Sequence, residues 1–281
     1  MPEELKSAAI PVASRGRQYH IEVGPGDIAP YVLLPGDPER ADLISASWDE
    51  RRLVAYHREF KTYTGVYKGA PITTTSTGIG SPSTAIAVEE LLRVGAHTLI
   101  RVGTMGGILS DLEPGTLVIG TGAVRLEGTS KQYVDISYPA LAHYEVVQAL
   151  IEAAELLGVR YSVGVVATTD SFYLGQGRPG YKGYFTVEAS SLIPSLSEIG
   201  VMGFEMESSA LFTLSSIYGV RAGCICAVVA NRITDKFVPN AGVEEAVAVA
   251  NEAVRVLWNW DRVKESAGKR YFYPGLLRLT S

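Results

Sequence analysis

Residues 72–107 read ITTTSTGIGSPSTAIAVEELLRVGAHTLIRVGTMGG, and they set the class of the fold. Ile72–Thr77 is rich in β-branched residues and predicts a strand. Thr77-Gly78-Ile79-Gly80-Ser81 predicts a flexible turn into a helix from about Pro82 to Val94, stopped by Gly95. His97–Val102 predicts a second strand that ends at Gly103. The same alternation extends in both directions. Upstream, Tyr31–Leu34 predicts a short buried strand running into Pro35-Gly36-Asp37-Pro38, where Asp37 can cap a helix with Pro38 at its first position. Arg51–Tyr56 and Tyr63–Tyr67 predict strands, and Lys68-Gly69 turns the chain into the strand at Ile72. Downstream, strands are predicted at Leu117–Val124, Tyr161–Thr168 and Arg221–Ala230. Helices are predicted at His143–Leu157, Glu207–Tyr218 and Val243–Trp260, the first two stopped by Gly158 and Gly219. Strand and helix alternate from end to end, which predicts an α/β fold. The expected form is a single-domain α/β/α sandwich over residues 1–281, core about 20–260, with a mixed, largely buried central β-sheet. Gly175–Gly203 is long and rich in Gly, Pro and Ser, with a short helix expected near Ser190–Ile199, a composition typical of functional lids.

Composition narrows the function. Of 281 residues, 47% are apolar and 20% charged, enough for a core and too little charge for a disordered chain. Lys plus Arg is 25 against 30 Asp plus Glu, a net charge of -5, which argues against coating nucleic acid or an anionic membrane. A small anion held by a few local arginines stays open. Cys224 and Cys226 cannot supply a disulfide framework or a cysteine-rich zinc site, and they read as small buried residues on one strand face. No apolar run approaches the roughly 20 residues of a membrane span. Residues 1–17 lack an apolar signal region, so a cytoplasmic protein is expected. Scarce Asn, Gln, Cys and Met lean toward a heat-adapted source.

Four constellations carry chemistry. At Pro35–Arg40, Gly36 exposes backbone N–H groups beside a helix start, and Arg40 adds a guanidinium, a pattern suited to an anion or simply to a capped turn. In Leu99–Gly107 an arginine, Arg101, sits inside an apolar strand, with Thr104 just after it. Arg101 is either a structural ion pair or part of an anion site. Two Gly-rich strand ends that each bring an arginine favour the anion. In Phe204–Ser208, Glu205 and Glu207 precede a helix, where acids suit the dipole. A carboxylate there can also accept both hydroxyls of a vicinal diol, with Met206 offering apolar contact to a sugar. In Asp170–Arg178, Phe172 suits stacking on a planar base, Gln176 suits a face with both donor and acceptor, and Arg178 suits carbonyl oxygens. His57, His97 and His143 have no metal-ligand spacing, and Thr77-Gly78-Ile79-Gly80 lacks the third glycine of a dinucleotide fingerprint.

Taken in order, the strings Leu34–Pro38, His57–Phe60, Ser76–Gly80, Arg101–Thr104, Thr168–Tyr173, Phe204–Ser208 and Ala230–Arg232 resemble the uridine phosphorylases of the hexameric nucleoside phosphorylase superfamily. The resemblance spans about His20 to Trp260. Purine-specific relatives tend to carry Ser-Asp where this chain has Asn231-Arg232, and Gln176-Gly177-Arg178 matches the Gln-x-Arg pair of the uridine group. Met105 departs from the second Thr of many uridine phosphorylases.

The resemblance implies reversible phosphorolysis of uridine to uracil and ribose 1-phosphate in pyrimidine salvage. It assigns phosphate to Gly36, Arg40, Arg101, Thr104 and a neighbouring subunit's Arg58. Ribose falls to Met206, Glu207 and a neighbour's His20, and the base to Phe172, Gln176, Arg178, Glu205 and Arg232. Arg101, Gln176 and Arg178 carry catalysis. No organic cofactor is implied, and a monovalent cation is expected near Glu59, Ile79 and Ser83. The partners implied are uridine, phosphate and further copies of the chain in a homohexamer, a trimer of dimers, with neither nucleic acid nor membrane. The rival readings are a purine or broad-specificity nucleoside phosphorylase, a related nucleosidase, and a non-catalytic nucleoside-binding module.

Overall fold

The computed structural model describes residues 7–9, 11–13 and 16–279. In chain order the regular elements among them are β1 (Tyr31–Pro35), α1 (Pro38–Ser45), β2 (Glu50–His57), β3 (Phe60–Tyr67), β4 (Ala70–Thr75), α2 (Ser81–Arg93), β5 (Thr98–Gly107) and β6 (Leu117–Arg125). There follow β7 (Ala140–Leu141), α3 (Tyr144–Leu157), β8 (Tyr161–Thr168), α4 (Val187–Glu198), β9 (Gly203–Glu205), α5 (Ser208–Ile217), β10 (Arg221–Asn231), β11 (Lys236–Phe237) and α6 (Val243–Ser266).

Capping sets several boundaries. The Asp37 side chain accepts from the Glu39 N–H with Pro38 at the first position, as predicted, and Gly158 ends α3 in the left-handed conformation. Helix α4 starts at Val187 because Thr186 caps it, earlier than expected, and α6 runs on to Ser266.

One mixed sheet runs β11-β10-β6-β8-β9-β5-β1-β4-β3-β2, with β7 on β6. β5 also pairs with β10, so β5, β10, β6, β8 and β9 close into a ring. The strands β4, β1, β5 and β10 are parallel neighbours and largely buried, so helices must cover both faces. On one face α3 and α6 pack on Leu33, Ile100, Val102 and Ile225; on the other, α2 and α5 pack on Val32, Leu34 and Leu99. This is the expected α/β/α arrangement.

Alternation along β5 aims Arg101 to the side of Leu99, away from Ile100 and Val102. That is the side where α5 begins. β5 was expected to end at Gly103 but continues to Gly107. Its glycines mark close packing: a Cβ on Gly203 of β9 would lie 2.3 Å from the Gly106 carbonyl oxygen and 2.9 Å from the Gly107 Cα. The carboxyl ends of β1, β5 and β10 converge there, the place where open α/β sheets collect ligands.

Candidate active site

A cleft of about 860 Å³ opens at those strand ends. It gathers Gly36 and Arg40 after β1, Arg101 and Thr104 on β5, and Phe172, Gln176 and Arg178 after β8. It also gathers Glu205, Met206 and Glu207 between β9 and α5, and Arg232 after β10. Glycine makes the approach of the first loop possible. A Cβ on Gly36 would stand 3.2 Å from the Gly78 carbonyl oxygen.

Arg101 is the centre of one group. It is buried, its Nη2 lies 2.5 Å from Glu207 Oε2, and its Nε lies 2.8 Å from Glu205 Oε2, an ion pair not aligned as a hydrogen bond. Burial disfavours its charge, but Glu207 and Glu205 outweigh burial and hold its proton affinity above the ordinary value. The two alternatives for Arg101 are therefore not exclusive: it is ion-paired and it also lines the cleft. Arg40 stands nearby with Nη1 donating to the Val102 carbonyl at 3.2 Å. Burial, and then the charge of Arg101, lower its proton affinity, and among the described residues it forms no ion pair. Two neighbouring guanidiniums, one of them without a carboxylate, have the charge and donors to hold an anion.

Glu207 Oε1 accepts from the Gly80 N–H at 2.6 Å, and Oε2 from the Met206 N–H at 3.2 Å. Burial raises its pKa, against the pull of Arg101. Glu205 departs from the base contact expected of it. Its side chain is inaccessible, and its oxygens accept from the backbone N–H groups of Glu207 and Ser208 and from the Thr168 hydroxyl. It lies behind Arg101.

A second group surrounds Gln176. Arg178 Nη1 donates to Gln176 Oε1 at 2.5 Å and to the Phe172 carbonyl at 2.8 Å, and its guanidinium lies 4.0 Å from the Phe172 ring centroid. One face of Phe172, expected to be free for a base, is thus covered by Arg178. Arg232 clamps the same loop, donating to the carbonyls of Gln176 at 2.9 Å and Gly177 at 3.0 Å. Burial, reinforced by Arg232, brings the pKa of Arg178 down to about 10. Neither arginine forms an ion pair among the described residues. Asn231, beside Arg232, is spent on structure: it donates to the Leu109 and Leu112 carbonyls and accepts from the N–H groups of Ile233 and Thr234.

Three expected residues lie outside this cleft. His20 and Arg58 sit together elsewhere, with the Arg58 guanidinium 5.7 Å from the Tyr19 ring centroid. His20 Nδ1 is 2.7 Å from Glu90 Oε1, and Glu90 also accepts from the backbone N–H groups of His20 and Ile21. Ser83 donates to Glu59 Oε1 at 2.9 Å, while Glu59 and the exposed Ile79 reach the cleft edge. Met105 packs in an apolar cluster with Leu112, Val166 and Cys226 and also lines the cleft, where it brings no hydroxyl. Sequence reasoning placed Thr168 in the string Thr168–Tyr173 but gave it no role of its own. It missed Phe237 on β11, which lines the cleft.

Residues 30–258 match the family model described as Phosphorylase superfamily. A uridine phosphorylase of Thermococcus kodakarensis is 59% identical over 98% of this chain and 99% of its own. That of Treponema pallidum is 42% identical over 89% of this chain and 98% of its own, and that of Escherichia coli 38% over 87% and 99%.

Proposed function

The chain belongs to the phosphorylase superfamily, and from that premise we propose how its cleft carries out the reversible phosphorolysis of uridine to uracil and ribose 1-phosphate. The enzyme is a pentosyltransferase that uses phosphate as co-substrate. The observation that carries the reading of the site is one cleft holding two arginine groups, Arg40 with Arg101 and Arg178 with Arg232, and a buried acid, Glu207, in contact with the first.

Phosphate binds to Arg40, Arg101, the Gly36 N–H and the Thr104 hydroxyl. Glu207 accepts the ribose hydroxyls, and Met206 lies along the sugar. Breaking the bond between the sugar and the base leaves positive charge on the ribose and negative charge on uracil. Bound phosphate stabilises the sugar cation and then captures it. Arg178 is charged at neutral pH, and with Gln176 it meets the charge growing on uracil, an interaction stronger in the transition state than in the bound substrate. Arg232 holds the loop that carries both.

The same proposal includes a cytoplasmic location and a homohexamer built from dimers, in which His20 and Arg58 complete a neighbour's cleft. Hard oxygen donors at Glu59 and Ser83, beside Ile79, suit a monovalent cation that would brace this edge. The test is loss of uridine absorbance on adding enzyme with and without phosphate. Phosphate-dependent loss is expected; phosphate-independent loss would identify a hydrolase, and cleavage of purine nucleosides at equal rate would overturn the base assignment.

A further inference from the structure

Behind Arg101 lies a relay of buried polar groups. Thr168 is at the end of β8 and fully buried. Its hydroxyl accepts from the backbone N–H of Ser209, in the first turn of α5, at 2.9 Å. With its lone pair so engaged, the hydroxyl proton is directed at Glu205 Oε1, to which it donates. Glu205 is held at the same time by the N–H groups of Glu207 and Ser208, and it faces Arg101 Nε at 2.8 Å. Ser209 is tied further back, its hydroxyl donating to the buried Glu127 at 2.9 Å.

A carboxylate has several staggered positions and a guanidinium many more. Glu205 can orient Arg101 only while its own rotamer is fixed. The backbone N–H groups reach both oxygens, and among the described residues only the Thr168 hydroxyl donates to Glu205 from β8. We infer that Thr168 is a positioning residue: through Glu205 it aims the Arg101 guanidinium so that its outer N–H groups meet phosphate. The inference rests on Arg101 being the phosphate arginine.

The experiment is titration calorimetry of inorganic phosphate into the full-length enzyme, with steady-state kinetics and melting temperatures alongside. Thr168→Val keeps shape and removes the donor. It should weaken phosphate binding about ten-fold, as expected for a lost hydrogen bond to a charged group. The uridine KM at saturating phosphate should stay within about two-fold. Thr168→Ser should restore phosphate binding. In an Arg101→Lys background, Thr168→Val should add no further loss, because the group it positions is gone. A purely structural role would lower the melting temperature without this selectivity and would remain additive with Arg101→Lys. Unchanged phosphate binding in folded Thr168→Val, or additive loss in the double variant, overturns the inference. If Arg101→Lys itself leaves phosphate affinity unchanged, the phosphate assignment fails first, and the inference with it. Should Thr168→Val fail to fold, Glu205→Gln takes its place: weakened phosphate binding that is not additive with Arg101→Lys is expected, and unchanged binding or additive loss overturns the inference.

Discussion

Replacing Arg178 with Met isolates the charge at the base end of the cleft. The methionine keeps an apolar stem against Phe172, where the guanidinium now lies 4.0 Å from the ring centroid, and deletes the donor. Arg178 has no carboxylate partner among the described residues and stands beside Arg232. Its charge is therefore uncompensated until uracil begins to leave. Removing one preorganised donor to a developing anion costs about 2.7–4 kcal/mol. At about 1.36 kcal/mol per decade, kcat on uridine should fall about a hundred- to a thousand-fold. The phosphate KM should move little, because Arg40 and Arg101 belong to the other group. Gln176 also loses its 2.5 Å contact, so the uridine KM should rise. Arg178→Lys restores charge without the two-pronged geometry and should recover only part of the rate. Initial rates at saturating phosphate, followed by uridine absorbance, give these numbers. A second nucleoside whose base carries an electron-withdrawing group sharpens the test. That base needs less stabilisation as it leaves, so the defect of Arg178→Met should shrink. A kcat on uridine within about three-fold of the parent, less than about 1 kcal/mol, would refute the reasoning. So would an equal defect on both nucleosides, which would make Arg178 a binding residue only.

Arg101→Ala should raise the phosphate KM and lower turnover; unchanged phosphate affinity by calorimetry would reduce Arg101 to its ion pairs. Gly103→Ala should act similarly, since a Cβ there would lie 2.7 Å from Arg101 Nη2 and force the guanidinium off its carboxylates; normal phosphate kinetics in this variant would show that the guanidinium position is not critical. Burial pushes the Asp261 carboxyl up, but Arg221 and Lys264 outweigh burial and hold it down to about 2. A depressed carboxyl stabilises the fold above its ordinary range and loses that contribution as pH falls from about 4 through about 2, here about 2 kcal/mol after discounting for solvent. Melting temperature against pH should show this loss in the parent and a flatter curve in Asp261→Asn; parallel curves would exclude it. Arg58→Ala and Glu207→Ala, refolded together, should regain activity in hybrid sites; mixed oligomers as inactive as either variant alone would place Arg58 in its own subunit's fold.

The fold was legible because its strands are apolar and β-branched and its helices carry their own stops. Val32, Leu34 and Leu99 face one helical layer while Leu33 and Ile100 face the other, so strands buried on both sides read as continuous apolar runs. The Gly-rich strings misled in one respect. Gly103, Gly106 and Gly107 read as the end of a strand, yet they lie in β5, where a Cβ on Gly103 would meet the Arg101 guanidinium and one on Gly107 would press on Leu112 and Val228. Local sequence could not separate the two acids of Phe204–Ser208. Which carboxylate is enclosed depends on β9 pairing antiparallel to β5 at Gly106 and parallel to β8 at Ala167, contacts distant in sequence. For the same reason the roles of Thr168 and Asn231 were invisible. His20 and Arg58 could be assigned only through the resemblance, since their place beside Tyr19 lies outside the cleft of their own chain.

The distribution of charge in the cleft follows from what the reaction separates. Both buried acids, Glu205 and Glu207, are drawn to Arg101, whereas Arg40, Arg178 and Arg232 keep no ion pair among the described residues. A binding module for neutral uridine would have no reason to hold three half-buried, uncompensated guanidiniums, since each costs desolvation that an uncharged nucleoside does not repay. Phosphorolysis gives them a purpose. On the proposed reading one anion, phosphate, enters beside Arg40 and Arg101, and a second, uracil, is created beside Arg178 and Arg232. From the departure of uracil until phosphate attacks, the sugar is cationic, and it needs a carboxylate that is near but already engaged, so that it accepts hydroxyls without capturing the sugar itself. Glu207, held by Arg101 and the Gly80 N–H, meets that condition. A freer carboxylate at the same place would compete with phosphate for the cation, and the ion pair that looked merely structural in the strand is what keeps it from doing so.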